Sequence, residues 1–165
     1  MTTYATADLC DRFGAQAQVC RAPVRPYGRH RAAQGLIDCL QCCEDAASLR
    51  TQLAQPGNGR ILVVDGGASL RVALLGDRMA RMAIDNGWGG VVINGAVRDV
   101  GHLQSMDVAV WALGHVPLRA DAPERGRPGV EVSFGQAVFR PGDFICLDQD
   151  GVVVLSQALL NGFAI

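Results

Sequence analysis

The 165-residue chain carries a formal net charge of -1, and it is 49% hydrophobic, 19% charged and 5% aromatic. Such a composition describes one globular domain with a mostly aliphatic core, long enough to bury it without cross-links, and argues against disorder or a second independent domain. There is no basic footprint for a phosphate backbone, no run near the roughly 20 apolar residues that span a bilayer, and no basic-then-apolar leader in MTTYATADLCDRFG. A cytoplasmic protein that binds neither nucleic acid nor membrane is therefore expected.

Thr6 is predicted to cap a short N-terminal helix with Leu9, Cys10 and Phe13 on one side. QGLIDCLQC reads as a strand entering a polar turn, and Glu44 to Leu53 as a helix that turns Ala47, Leu49 and Leu53 partly inward. RILVVDGG is a short β-branched run stopped by a glycine pair, as expected of a strand buried on both faces. After ASLRVALL comes GDRMARMAIDNG, with Met79, Met82, Ala83 and Asn86 at helical spacing and Gly87 as the stop. GVVING is a second buried strand, VGHLQSM a short helix and VAVWAL a third strand. Strand and helix alternating at such intervals predict parallel crossover units. HVPLRADAPERGRPG, rich in proline and glycine, reads as a long surface loop. The stretch from Val130 to Leu155 reads as hairpins punctuated by Phe134-Gly135, Pro141-Gly142 and Asp150-Gly151. A mixed α/β fold follows, with a parallel layered part and a β-rich C-terminal part.

Six cysteines stand at 10, 20, 39, 42, 43 and 146. Reduced thiols are expected, and the C-x-x-C pair of Cys39 and Cys42 has no second pair or spaced histidines to complete a zinc site. Buried small hydrophobes or a thiol-redox motif both fit that pair. Trp88 is expected to pack under the second strand and Trp111 to lie in the core or a subunit interface. His30 and His115 have no partnering motif. GNGRILVVDGG lacks the Lys-Ser/Thr of a phosphate loop, so nucleotide binding is not expected.

Three residues stand where chemistry is easiest to build. Gly76-Asp77 precedes a helix, so Asp77 is predicted as the N-cap, at the end of the helix that stabilises anions. Arg98-Asp99 follows the second strand, at the carboxyl edge where open α/β sheets place ligands. An arginine there grips a carboxylate through paired hydrogen bonds, and an aspartate holds a hard divalent cation that keeps most of its waters. A helix cap and a surface ion pair would also account for these residues.

The block ILVVDGGASLRVALLGDRMARMAIDNGWGGVVINGAVRDV resembles the family that joins the regulator of ribonuclease activity A with the class II 4-hydroxy-4-methyl-2-oxoglutarate aldolases. TADLCD, CCED and VSFGQAVFRPGDFICLDQDGVVV extend the resemblance over most of the chain. It implies a swivelling β/β/α domain, a homotrimer with active sites between subunits, and a divalent metal, magnesium or manganese. The aldolases carry an aspartate, 20 residues, Arg-Asp, two residues, then an acid; here Asp77, Arg98 and Asp99 fit and His102 replaces the acid. By similarity Asp99 binds the metal, Arg98 contacts the pyruvyl part of a 2-oxo acid, the Gly76-Asp77 turn offers amides to its carboxylate, and Asp77 orients a protonating water. His102 would accept a hydrogen bond from a metal-bound water or ligate the metal directly. In GRPGVEV, Arg127 or Pro128 stands near the place of a second family acid. The implied activity is retro-aldol release of pyruvate, with oxaloacetate decarboxylation through the same enolate. The chain has no lysine, which excludes a Schiff-base aldolase. The family's other role, inhibition of ribonuclease E by direct contact, is the alternative.

Overall fold

A computed structural model describes residues 3–162. In chain order its elements are α1 (Thr6–Phe13), β1 (Gln18–Val19), β2 (Arg25–Pro26), β3 (Ala33–Gln41), α2 (Ala46–Leu53), β4 (Ile61–Asp65), β5 (Ala73–Leu75) and α3 (Asp77–Asp85). There follow β6 (Gly90–Val97), α4 (Val100–Leu103), β7 (Val110–His115), β8 (Arg127–Pro128), β9 (Val132–Phe134), β10 (Ala137–Phe139), β11 (Phe144–Leu147), β12 (Val152–Leu155) and α5 (Gln157–Gly162).

One curled, mixed sheet runs β1-β12-β11-β3-β4-β6-β7-β2. Its centre, β3-β4-β6-β7, is parallel, as the alternation of buried runs with amphipathic segments predicts. β11 and β12 join antiparallel on the β3 side, and β9 and β10 form a separate hairpin. The strand period of two divides the core between the layers. Leu62 and Val64 face the helices with Val91 and Ile93, while Ile61 and Val63 face the β9-β10 hairpin with Val92 and Trp111. This is the β/β/α arrangement, and it explains why RILVVD and GVVIN are apolar at every position but their ends. Trp111 is fully buried, and Trp88 is buried with its indole N–H directed at the carbonyls of Leu53 and Gln55.

Several local expectations need correction. Thr6 is the first residue of α1 and Ala5 its N-cap; the Thr6 hydroxyl and amide both donate to Asp148, at 2.7 and 2.8 Å. A contact 142 residues away in sequence outweighs the local capping preference. The predicted helix from Glu44 begins at Ala46, because Glu44 takes a positive φ of 54° and Asp45 supplies the cap. ASLRVALL contains β5, a three-residue strand parallel to β6. The long loop after β7 is more than surface, since the Ala73 amide donates to Leu118 and the Ala120 amide to Ala73, at 2.7 and 2.9 Å.

Asp45 also ties that loop to α2. Its carboxylate accepts the Ser48 amide at 2.9 Å and hydroxyl at 2.5 Å, and the amides of Arg125 and Gly126 at 2.8 and 3.0 Å. Desolvation works to raise this buried carboxyl, but the four donors outweigh it and hold it below the ordinary aspartate range. A depressed folded-state value contributes stability that is fully present above the unfolded value of about 3.9 and is lost as pH falls from there toward the folded value. Urea unfolding from pH 6 to 3 should therefore show stability declining toward the acid end. Asp45→Asn should be less stable at pH 6 and decline less steeply; an equally steep decline would assign the acid sensitivity to other groups.

Candidate functional site

β5 and β6 lie side by side and end together, which brings the residues following each strand into contact. The Arg98 amide donates to the Leu75 carbonyl at 2.9 Å, locking the two strand ends. Asp99 then adopts a left-handed conformation, φ 57° and ψ 36°, that turns the chain into α4. Its carboxylate is carried back to the start of α3, where Oδ2 accepts the Asp77 amide at 3.2 Å and lies 3.7 Å from Arg98 Nε. On the far side of Asp77, Oδ2 is 3.4 Å from His102 Nδ1. The four positions singled out in the sequence, 77, 98, 99 and 102, thus form one chain of contacts.

Gly76, not Asp77, is the N-cap of α3, and Asp77 is the first helical residue. A Cβ at Gly76 would strike Asp99 Oδ2 and press on Arg98, so the glycine is what allows the Asp99 carboxylate to reach the backbone. The anion received by this helix start is in the first place the protein's own. The Arg78 amide is likewise taken, by Asp77 Oδ1 at 2.8 Å, which leaves the Met79 amide without a partner among the described residues. Desolvation would raise the Asp77 carboxyl, but the Arg78 amide, His102 and Asp99 together hold it below the usual range, so it stays ionised at neutral pH.

These residues line a cleft of about 340 Å³. Arg50 from the last turn of α2, Arg78 from α3 and Arg119 from the loop after β7 open onto the same space. No linear motif announces Arg50 or Arg119; the fold assembles them from positions 27 residues before and 42 after Asp77, counting 77 − 50 and 119 − 77. Arg127 and Pro128 are elsewhere. They form β8 against the end of β3, with the Arg127 guanidinium on Gln41 at 2.8 Å, and Arg127 lines a separate pocket beside Cys43 and Arg125. His102, exposed on α4, belongs to a neighbouring depression with Arg81 and Ser105.

Among the described residues no group of three or more histidine, cysteine or acidic side chains is placed to hold a metal ion. The donor set beside the cleft is Asp99, with Asp77 and His102 adjoining it. Such a set fits a hard cation that keeps several waters and shares its remaining positions with a ligand's oxygens, as magnesium or manganese does, and does not fit a dehydrated all-protein cage. The pair of Cys39 and Cys42 is no alternative centre. Cys39 and Cys42 are buried in different core clusters, on opposite faces of the sheet, and burial pushes both up to about 12, where a thiolate nucleophile is not populated at neutral pH.

Fold and cleft together define a β/β/α domain with an arginine-rich cleft at the carboxyl ends of adjacent parallel strands. The chain belongs to the RraA-like family, described as Aldolase/RraA, whose model matches residues 6–154. A relative from Pseudomonas aeruginosa strain PAO1 is 42% identical over 156 residues, which is 94% of this chain and 96% of that protein, and carries the provisional name 4-hydroxy-4-methyl-2-oxoglutarate aldolase. One from Aromatoleum aromaticum with the same provisional name is 41% identical over 157 residues, covering 95% of this chain and 99% of its own. Among solved structures, one described as the RNA-processing inhibitor RraA from Thermus thermophilis aligns with a TM-score of 0.89 at 34% identity, over 93% of each chain. Another, described as an S-adenosylmethionine:2-dimethylmenaquinone methyltransferase from Geobacillus kaustophilus HTA426, aligns at 0.91 and 40% identity, over 96% and 98%. No helix among the described residues is long and apolar enough to cross a membrane.

Proposed function

We propose that the protein is a divalent-metal-dependent aldolase that cleaves 4-hydroxy-4-methyl-2-oxoglutarate or a related 4-hydroxy-2-oxo acid to pyruvate, with oxaloacetate decarboxylation as a side activity. The observation that carries this reading is the meeting of Arg98 and Asp99 with the Gly76-Asp77 turn at one cleft. Arg98 holds the 1-carboxylate and 2-oxo end of the substrate and stabilises the negative charge that builds there as the bond between C3 and C4 breaks. The proton of the 4-hydroxyl passes to the water oriented by Asp77 as C4 becomes a carbonyl, and C3 of the resulting enolate takes a proton back from that water, so no net proton is gained or lost. The Met79 amide, without a partner among the described residues, is a further donor for the substrate carboxylate. A magnesium or manganese ion, held by Asp99, would supply Lewis-acid polarisation of the 2-oxo group. The homotrimer implied by the family resemblance would bring neighbouring subunits to this cleft. Methyl transfer, named for the Geobacillus structure, suits the cleft less well, because its guanidinium groups favour an anion over a sulfonium centre.

The test is a coupled pyruvate assay on the purified protein with each metal and with both substrates. Release of pyruvate above the metal-only rate supports the reading, and its absence at high enzyme concentration overturns it. His102→Asp, which restores the acid of the aldolase pattern, is expected to raise turnover several-fold or more; an unchanged or lower rate would show that the histidine costs nothing.

His102 also favours a second reading, since it departs from the aldolase pattern while the fold stays close to that of the Thermus protein. On this reading the chain is a protein regulator that inhibits ribonuclease E. Capture of ribonuclease E by the immobilised protein, without pyruvate release, would establish it; no association leaves the aldolase reading ahead.

A further inference from the structure

Outside the cleft, Arg60 pairs with Asp38, Arg71 with Glu44 and Arg140 with Glu131. Inside it, four arginines, Arg50, Arg78, Arg98 and Arg119, line the same space as two acids, Asp77 and Asp99. Those two carboxylates are already engaged with the α3 amides and with His102 and Arg98, and Arg50, Arg78 and Arg119 have no acidic partner among the described residues. A ligand with one carboxylate offsets only one of these two excess positive charges and a dicarboxylate offsets both, and a divalent cation held by Asp99 would add to the excess.

Arg50 and Arg119 are also mounted rigidly. Arg119 lies between Leu118 and Ala120, whose backbones take up the amide and carbonyl of Ala73 along one edge of β5, and the Ala120 side chain is buried. Arg50 projects from α2, which is anchored by the fully buried Leu49 and Leu53. Only the arginine side chains, not the backbone, have to be ordered when an anion arrives, which keeps the entropic cost of binding low.

Building on the aldolase reading, we propose that Arg50 and Arg119 form a second anion subsite that takes the distal carboxylate of a 2-oxo dicarboxylic acid, while Arg98 takes the 2-oxo acid end. They are specificity-determining residues: they select dicarboxylate over monocarboxylate substrates, and the chemistry is left to the Asp77, Arg98 and Asp99 cluster.

The test measures binding, so it does not depend on turnover. With magnesium present throughout, calorimetry compares 2-oxoglutarate, a dicarboxylate without the 4-hydroxyl that cleavage needs, with 2-oxobutyrate, which keeps the 2-oxo acid end and lacks the second carboxylate. The wild-type protein should bind 2-oxoglutarate about 10-fold or more tightly than 2-oxobutyrate, as expected of charge-assisted hydrogen bonds to one added carboxylate. Arg50→Gln and Arg119→Gln should each weaken 2-oxoglutarate by about that factor and leave 2-oxobutyrate within about 2-fold, whereas Arg81→Gln, outside the cleft, should change neither. The proposal is overturned by equal binding of the two acids to the wild type, by equal losses for both acids, or by an Arg81→Gln effect as large as the other two. A preserved binding preference without pyruvate release would remove the aldolase reading and leave the subsite standing. Pyruvate release without the preference would do the reverse.

Discussion

Arg98→Ala is expected to lower pyruvate release per enzyme by about 10²- to 10³-fold, the scale of losing one pre-organised donor to developing negative charge. Stability should barely change. The Arg98 side chain is 36% exposed and its ion pair to Asp99 spans 3.7 Å, so it contributes like a surface pair and not like a core contact. Arg98→Lys should recover little of the lost rate, because an ammonium cannot present the paired donors of a guanidinium fork. Thermal unfolding and steady-state kinetics on the same preparations decide the matter. A variant that unfolds normally and retains activity within about 3-fold of the wild type would remove Arg98 from the reaction.

Gly76→Ala should give the second large effect, by a different route. The backbone at Gly76, φ -129° and ψ -167°, is open to any residue, so no conformational penalty arises. The new methyl would instead occupy the space of Asp99 Oδ2, the end of a partly exposed side chain that can swing away, and crowd the Arg98 stem at Cγ and Nε. Activity should fall at least about 10-fold, because a displacement of about 1 Å at the reacting groups is that costly or more. The melting temperature should move by no more than a few degrees. A fall in both together would mean that the turn is a structural clasp, and normal activity would mean that the contact between Asp99 and the helix start is dispensable.

What could be read from the sequence and what could not divide along a physical line. β4 and β6 were legible because strands buried on both faces must be apolar throughout, and Gly87 was legible as a stop because φ of 73° at a helix end suits glycine. Asp77, Arg98 and Asp99 stood out through their place at element ends and through a spacing shared with a known family. β5 was not legible, since three residues carry no period that separates a strand from a loop. Nor was the true partner of Thr6, nor the clamp of the loop on Ala73, because each joins segments whose nearness only the completed fold creates. Arg50 and Arg119 belong to this second group. In the linear chain they are ordinary surface arginines, and they acquire meaning from where α2 and the β7 loop come to rest.

The left-handed turn at Asp99 bears on how this domain can change over time. Asparagine and glycine are the residues that settle there with least difficulty, and aspartate shares the tolerance, while most others pay for the Cβ. Replacement of Asp99 by asparagine therefore discards a negative charge at little expense to folding, because the amide oxygen can still accept the Asp77 N–H. The scaffold offers its descendants a short mutational path from a charged cleft to a silent one, along which the shape persists and only the chemistry is given up. A fold with its key carboxylate at such a position is well suited to be inherited by proteins that catalyse and by proteins that only bind.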